Sequence, residues 1–266
     1  MTRTHLKHYR AYLDAVDISG YVRTIGALGW IFDAEPDAAI TDEVKNILIG
    51  KCDITAEPYS AFLDNDAAGL FVLAGSATAD HGERDYMVVM GANAAPVAGD
   101  NIFAQKFEQT SYQMEQGTGF VAVTVPFGGV SSQASMSYRK PWGKLLAAKQ
   151  TRLVAAGVNT GVGIDDIGAT SALGGVFIYH LFSSDGTLTL KAEDANGTNI
   201  DGDFADSTLD NTATSGSIDA TTAPKHGMVA LSTTLAIRRY LRWQIAWGTA
   251  TTATFAVAFI RNNSII

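Results

Sequence analysis

The chain has 266 residues, of which 47% are hydrophobic and 17% are charged, and its formal net charge is −8. This composition predicts a folded protein rather than a disordered one, and the length allows one large or two modest domains. The acidic balance disfavours a nucleic-acid-binding protein, because the chain as a whole repels phosphate. The single cysteine, Cys52, excludes an intrachain disulfide and is typical of a protein made in a reducing cytoplasm.

The first segment with a strand pattern runs from Tyr9 to Tyr21 and contains the tetrapeptide Asp17-Ile18-Ser19-Gly20. The residues before it lack the apolar core of a signal peptide, so we expect none. His5 and His8 could share a metal ion only on a helical arm with further ligands, and we expect an exposed arm instead.

Two segments carry a helical pattern. Asp42 to Ile49 follows a candidate N-cap, has acids in its first turn and an apolar stripe, and ends at Gly50. Trp142 to Gln150 follows a proline and is rich in leucine and alanine. Each segment predicts a short helix.

The remaining apolar segments predict β-strands. Apolar side chains alternate in Phe120–Val125 and Thr187–Lys191, which is typical of strands with one buried face. In Thr254–Ile260 one face carries Phe255, Val257 and Phe259 and the other carries alanines, which is typical of a strand packed closely on both sides. Other short runs rich in β-branched and aromatic residues are Leu28–Phe32, Phe71–Leu73, Tyr86–Met90 and Val176–Phe182. The most apolar stretch, Trp243 to Ile260, is about as long as a membrane span, but its threonines and final alternation indicate strands and no membrane segment.

The domain division is expected near residue 152. Alternation is lost between Lys149 and Thr160, and a glycine-rich loop follows. We therefore expect a mainly β protein with two β-sandwich or barrel-like domains, residues 1–152 and 153–266, and one or two short helices.

Charges are unevenly placed in the second half. Every acid after Glu115 lies between Asp165 and Asp219, whereas five bases and no acids follow from Lys225 onward. Two interpretations are open: solvated acidic loops beside a basic strand pair, or complementary faces of neighbouring subunits.

The candidate interface sequence in this basic part is Arg238-Arg239-Tyr240-Leu241-Arg242-Trp243. Arginine, tyrosine and tryptophan carry much of the binding energy at protein interfaces. In a strand, Arg238, Tyr240 and Arg242 share one face, which predicts an assembly contact. The alternative is a sheet that buries Leu241 and Trp243 while the arginines extend to solvent.

No pattern of catalytic or cofactor-binding residues is recognised, so we expect neither an enzyme nor a cofactor. Gly161 to Gly168 does not have the spacing of a dinucleotide-binding loop. Asp194 to Asp203 is rich in oxygen ligands suited to calcium, but it lacks the terminal glutamate of a calcium loop and also fits tight turns. His180 lies in a strand-like run and is expected to be a core histidine. A two-carboxylate hydrolase remains an alternative, because the chain has 27 acidic residues.

The order of the N-terminal elements resembles the start of the major tail tube proteins of long-tailed, siphophage-type bacteriophages. The resemblance is carried by Asp17-Ile18-Ser19-Gly20 at the end of a first strand, the predicted helix 42–49 and a strand near Cys52–Ala56. The later segments Gly186–Leu190, Arg239–Trp243 and Thr254–Val257 resemble segments of phage tail and other virion proteins. No segment is identified as the long hairpin by which such subunits reach the next ring.

The resemblance implies a structural virion protein of the tail, assembled in the bacterial host cytoplasm. Such subunits form homo-oligomeric rings, here a trimer or a hexamer, which stack into a tube, contact other tail proteins and conduct double-stranded DNA without binding it specifically. It also implies an assembly role for Asp17, Ile18, Ser19 and Gly20.

Three acids, Asp80, Glu83 and Asp85, lie in a predicted hairpin tip, and we expect them near the tube lumen or the contact between rings. The second domain would be either a tandem tube domain or a decoration domain. The alternative function is that of a capsid decoration or tail-surface adhesion protein.

Overall fold

The computed structural model describes residues 8–37, 46–56, 58–63, 71–75, 83–92, 95–116, 121–130, 141–166, 173–197, 201–204, 207, 209, 212–222 and 224–262. Strands dominate these residues, so the predicted mainly β fold is confirmed. Within the described ranges, no helix is long and apolar enough to cross a membrane.

The strands of the first half are β1 (Tyr9–Leu13), β2 (Val16–Asp17), β3 (Val22–Thr24), β4 (Leu28–Asp37), β5 (Asn46–Ala56), β6 (Tyr59–Phe62), β7 (Glu83–Met90), β8 (Asn101–Gln109), β9 (Gln113–Gln116), β10 (Val121–Val125) and β11 (Phe127–Val130). Those of the second half are β12 (Trp142–Leu153), β13 (Ile164–Asp165), β14 (Gly175–Ser184), β15 (Thr187–Ala195), β16 (Ile218–Asp219), β17 (Lys225–Ala230), β18 (Tyr240–Trp247) and β19 (Thr252–Arg261). Phe71–Gly75 forms a π-helical turn, and Val154–Ala156 and Asp201–Phe204 form 3-10 turns.

The chain folds into two compact units that do not correspond to its two halves. Unit 1 comprises Met1–Gly20, Arg84–Lys106 and Ser132–Ile266, and unit 2 comprises Tyr21–Glu83 and Phe107–Ser131. The predicted boundary near residue 152 falls inside β12. This strand pairs with β8 from the first half and β19 from the second half, so the backbone hydrogen bonds of one sheet join both halves.

Unit 1 contains a large antiparallel sheet with the strand order β17-β14-β19-β12-β8-β7-β1-β2. A second antiparallel sheet, in the order β13-β18-β15-β16, packs against one face of the first. Phe177, Phe255 and Phe259 of the large sheet form one core with side chains such as Leu241 and Trp243 of the small sheet. The burial of Leu241 and Trp243 agrees with the interpretation of β18 as a sheet strand, but Arg242, which that interpretation placed in solvent, is buried as well.

The opposite face of the large sheet encloses a second core. Tyr12, Met87, Ile102, Leu145 and Ile178, each from a different strand, are almost completely buried there and cluster together. The ring of Tyr12 on β1 lies 5.2 Å from that of Phe182 on β14, between centroids, although five strand-to-strand steps of about 4.8 Å would separate these strands in a flat sheet. The sheet of unit 1 is therefore strongly curled around this core.

Unit 2 contains a four-stranded sheet in the order β3-β6-β10-β9 and a separate two-stranded sheet formed by β4 and β5. Its buried side chains include Tyr59, Val123 and Phe107. The ring of Phe127 stacks on Phe107 with centroids 5.3 Å apart and also contacts Tyr59.

Both helix predictions are wrong where the structure describes them. Residues 46–49 belong to β5, which pairs along its length with β4, and residues 42–45 lie outside the described residues. Residues 142–150 belong to β12. In both segments, backbone pairing with neighbouring strands determines the conformation, although the local residues favour a helix. The predicted strand at residues 71–73 is a helical turn instead.

Candidate functional site

The two edges of the curled sheet of unit 1 meet through charged and polar side chains. His226 of edge strand β17 lies 2.7 Å from Asp85 of β7, measured from Nδ1 to Oδ2. Five strand-to-strand steps separate β17 from β7 along the sheet, which is about 24 Å in a flat sheet. We call this closure, formed by Asp14, Arg84, Asp85, Lys106, His180 and His226, the polar seam.

One side of the polar seam is the tight turn between β1 and β2. Leu13 pairs with Val16, so Asp14 and Ala15 form a two-residue loop, and both have positive φ values of 50° and 60°. This is the conformation of a hairpin turn whose preferred sequences are Asn-Gly, Asp-Gly and Gly-Gly. Asp14 fits this preference, but Ala15 lies where glycine is usual, which indicates that the surrounding contacts stabilise the turn.

Those contacts are hydrogen bonds to the side chain and backbone of Asp14. The Asp14 backbone N–H donates to the Asp85 carbonyl oxygen, and the Asp85 N–H donates to Asp14 Oδ1 at 2.9 Å. Arg84 forms an ion pair with Asp14 Oδ2 at 2.8 Å, with both side chains less than a tenth exposed. The turn is therefore joined to the start of β7 by both polar and ionic contacts.

Asp85 and His226 form the central ion pair of the polar seam. Burial alone would raise the pKa of Asp85, but the hydrogen bond from His226 and the charges of His226 and Lys106 lower it overall. Burial opposes protonation of His226, yet the hydrogen bond with Asp85 and the charge of Asp14 outweigh it and raise its pKa. Lys106 Nζ lies 3.7 Å from Asp85 Oδ1, so cations approach this carboxylate from two strands.

His180 lies directly opposite His226 in the β14–β17 pairing and is completely buried. Its Nδ1 accepts a hydrogen bond from the backbone N–H of Ala15 at 3.1 Å. The ring packs at 5.8 Å from Tyr12 and 6.4 Å from Phe182, between centroids. The expectation of a core histidine is correct for its burial, but the alternation in β14 gave no sign that it would contact the β1–β2 turn.

The three predicted interface residues of the C-terminal part differ in their exposure to solvent. Arg242 is buried, where its Nε donates to Glu193 Oε2 at 2.5 Å and its guanidinium lies 4.2 Å from the ring centre of Phe204. Tyr240 and Arg238 are partly exposed. The Arg238 backbone N–H donates to Asp194. Arg242 is thus a core residue of unit 1, because its charge is paired inside the chain.

The uneven charges of the second half pair within one chain. Arg261 donates from Nε to Asp166 at 2.7 Å, and Arg239 binds Asp165 at the surface. With the Arg242 pair, three bases of the C-terminal part bind acids from the acidic part. These pairs account for much of the pattern without a neighbouring subunit, which neither sequence interpretation had considered.

The tetrapeptide Asp17-Ile18-Ser19-Gly20 begins with the last residue of β2 and continues into a local turn, so it does not end the first strand. Ile18 is fully buried. Ser19 Oγ accepts the backbone N–H of Ala11 at 2.9 Å and binds Asp17 Oδ1 at 2.6 Å. Asp17 also forms an ion pair with Lys149 at 2.8 Å. The structure thus gives Asp17, Ile18 and Ser19 roles inside unit 1, while Gly20 is exposed and has open space around it.

The three acids expected at a hairpin tip do not share one. Glu83 is an exposed residue at the start of β7, and Asp85, two residues later, is buried in the polar seam. Asp80 lies outside the described residues. Asp85 is therefore no surface acid of the isolated subunit.

The structure describes only part of each candidate metal site. His5 and residues 198–200 of the oxygen-rich stretch lie outside the described residues. Within the ranges that the structure describes, no group of three or more histidine, cysteine or acidic residues is placed to hold a metal ion.

Comparison with known proteins finds a distant structural neighbour and no matching family. No family model matches the chain, and no curated protein matches it. Among solved structures, the chain is similar to the SPP1 Dit (gp 19.1) protein, described as a paradigm of the hub adsorption apparatus in phages that infect Gram-positive bacteria. The identity is 9%, the TM-score is 0.32, and the match covers 95% of this chain and 98% of that one. A likeness this distant identifies neither the fold nor the function of the chain.

Proposed function

We propose that the chain is a structural subunit of a bacteriophage tail, and more specifically a tail tube subunit that assembles with copies of itself into stacked rings. The observation that carries this proposal is the long hairpin of β4 and β5. Its strands are 10 and 11 residues long and pair from Leu28↔Ala56 to Asp37↔Asn46. At about 3.4 Å per residue, the hairpin is about 34 Å long.

This hairpin supplies the element that the sequence resemblance lacked. Subunits of the family that the N-terminal segment resembles reach the next ring with a long hairpin, and none was recognised in the sequence. Among the described strands, β4 and β5 pair only with each other. Because β5 also lies close to β11, the outer backbone edge of β4 is the one suited to contacts with another subunit.

A second support is an uncharged surface segment of unit 1, residues 153–163. Leu153, Val158 and Val162 are 51%, 43% and 80% exposed. The backbone N–H of Gly161 donates to the Trp243 carbonyl, and the Asn159 carbonyl accepts from Ile245, so the segment lies along β18. Exposed edges usually carry charges that prevent association, and this one carries none. It fits a contact with a neighbouring copy.

Electron microscopy of the purified chain at high concentration tests the proposed function. We expect hollow rods of uniform width with a central channel, since a tube subunit assembles with itself. Discrete monomers or trimers without rods would contradict the proposal and would favour capsid decoration or tail-surface adhesion. Binding to purified capsids and to cell-wall glycans would then decide between those two.

A shortened hairpin tests the observation behind the proposal. Phe32 pairs with Cys52, so replacing residues 33–51 by Asn-Gly joins paired positions through a two-residue turn. We expect the variant to fold, by circular dichroism, but to form no rods. Rods of normal length from this variant would show that assembly does not need the hairpin.

Val162→Lys tests the uncharged segment, with Val97→Lys as its matched control. Both valines are exposed in unit 1, at 80% and 61%. A charge at Val162 should weaken assembly, whereas a charge at Val97 should not. Equal effects of the two substitutions would show that residues 153–163 are not a specific contact.

A further inference from the structure

The contact between His180 and Ala15 depends on the protonation state of one ring nitrogen. His180 Nδ1 accepts the Ala15 N–H, so Nδ1 carries no proton and the neutral ring has its proton on Nε2. Nε2 is buried and has no hydrogen-bond partner within the described part of the chain. Within the described residues, the hydrogen bond that His180 makes across the polar seam is therefore the one at Nδ1.

We propose that the polar seam is a proton-operated latch: when His180 takes up a proton, Ala15 loses its acceptor and the β1–β2 turn separates from β14 and β17. The imidazolium has N–H donors at both nitrogens, so it cannot accept from the Ala15 N–H. Asp14 and Ala15 are held with positive φ values, so loss of this contact removes part of what stabilises an unfavourable turn. This inference is independent of the proposed tail function.

The charged groups around His180 act in both directions. Asp85 from β7 favours its protonation, and His226 from β17 opposes it. Three further charged groups line the seam. Asp14 from the turn lies near His226, and Lys106 from β8 lies near Asp85. Arg84 forms an ion pair with Asp14. The Tyr12 ring of β1 covers the imidazole.

Burial decides the balance and lowers the pKa of His180 to about 3. In an open seam, the solvated ring would regain its ordinary pKa of about 6.5. The open state then binds more protons, so closure is favoured above pH ~6.5 and weakens as the pH falls toward the lower pKa. Two pH units below 6.5 shift the equilibrium about 100-fold toward opening, which equals about 2.7 kcal/mol.

His226 has the opposite dependence. Its pKa is raised in the closed seam, so its stabilising contribution is fully present below its ordinary pKa and is lost as the pH rises through the raised value. Acid therefore strengthens the His226 contacts while it removes the His180 acceptor. The two effects can be separated, because they reside on different side chains.

Hydrogen exchange of the Ala15 amide, measured by NMR from pH 7.5 to pH 4.5 and corrected for intrinsic rates, tests the latch. We expect its protection to fall by up to about tenfold per pH unit below pH ~6.5. The Gly161 amide, which donates to Trp243 away from the seam, should keep its protection. A parallel decline of both amides, or no decline at Ala15, would overturn the proposal.

Two variants assign the effect to His180. His180→Gln retains an acceptor but cannot titrate, so Ala15 should stay protected in acid. His226→Gln, at the paired position on β17, should retain the acid-dependent loss at Ala15. The reverse pattern would refute the role of His180.

If His180→Gln does not fold, the nitrogen chemical shifts of the histidines in the wild-type protein test the same role of His180. The proposal requires His180 to carry its proton on Nε2 at pH 7, and to gain one on Nδ1 together with exposure of Ala15. A proton on Nδ1 at pH 7, or titration without any change at Ala15, would refute it.

Discussion

Replacing Arg242 by methionine should destabilise unit 1 strongly, although the sequence had suggested a surface contact. Arg242 and Glu193 are 8% and 6% exposed, and their Nε–Oε2 distance is 2.5 Å. Removing one partner of a buried ion pair leaves the other charge uncompensated and typically costs about 3–5 kcal/mol. Gln244, which donates to Glu193 Oε1 at 2.8 Å, offsets part of this cost, so we expect about 3 kcal/mol.

Denaturant unfolding followed by tryptophan fluorescence measures this change in the free energy of unfolding. The double variant Arg242→Met with Glu193→Leu should recover most of the loss, since apolar residues can replace a buried pair at little cost. Arg239→Met is the matched control, because its pair with Asp165 is exposed, and it should have no resolvable effect. If Arg242→Met left stability unchanged but abolished assembly, our assignment of Arg242 to the core would be refuted.

Three further predictions test other parts of the structure. Gly161→Ala should cost about 1–3 kcal/mol of unfolding free energy, because its Cβ would lie 2.2 Å from Trp243 Nε1, whereas Gly20→Ala, with open space, should be neutral; equal thermal shifts would contradict this packing. Ser19→Ala should lower the unfolding free energy by about 1–2 kcal/mol by removing the acceptor of a backbone N–H, and an unchanged denaturation midpoint would show that the turn does not need it. The wild type should lose stability as the pH rises above ~6.5, because the pKa of His226 is raised, and His226→Gln should show a flatter profile over that range.

Patterns of buried alternation were sufficient to predict individual strands. The alternation of Leu188 and Leu190 correctly predicted the buried face of β15, and the aromatic and alanine faces of Thr254–Ile260 correctly predicted burial on both sides of β19. Alternation of this kind reports which side chains of a strand are buried. It does not specify which strands become neighbours.

Long-range pairing explains the failures. Leucine and alanine in β12 favour a helix, but backbone hydrogen bonds on both sides hold the segment extended. The same limit applies to the polar seam, whose members lie as far apart in sequence as Asp14 and His226. Their contact could not be predicted from their spacing in the sequence, because it depends on the curvature of a whole sheet.

Cryo-electron microscopy of the assembled chain tests the proposed function most directly. A tail tube subunit predicts rods built of stacked rings, with a central channel and the β4–β5 hairpin of one ring in contact with the next. The rotational symmetry of each ring would decide between a trimer and a hexamer. Uniform discrete particles at the same concentration, or rods whose rings meet without the hairpin, would contradict the proposed function or its structural basis, respectively.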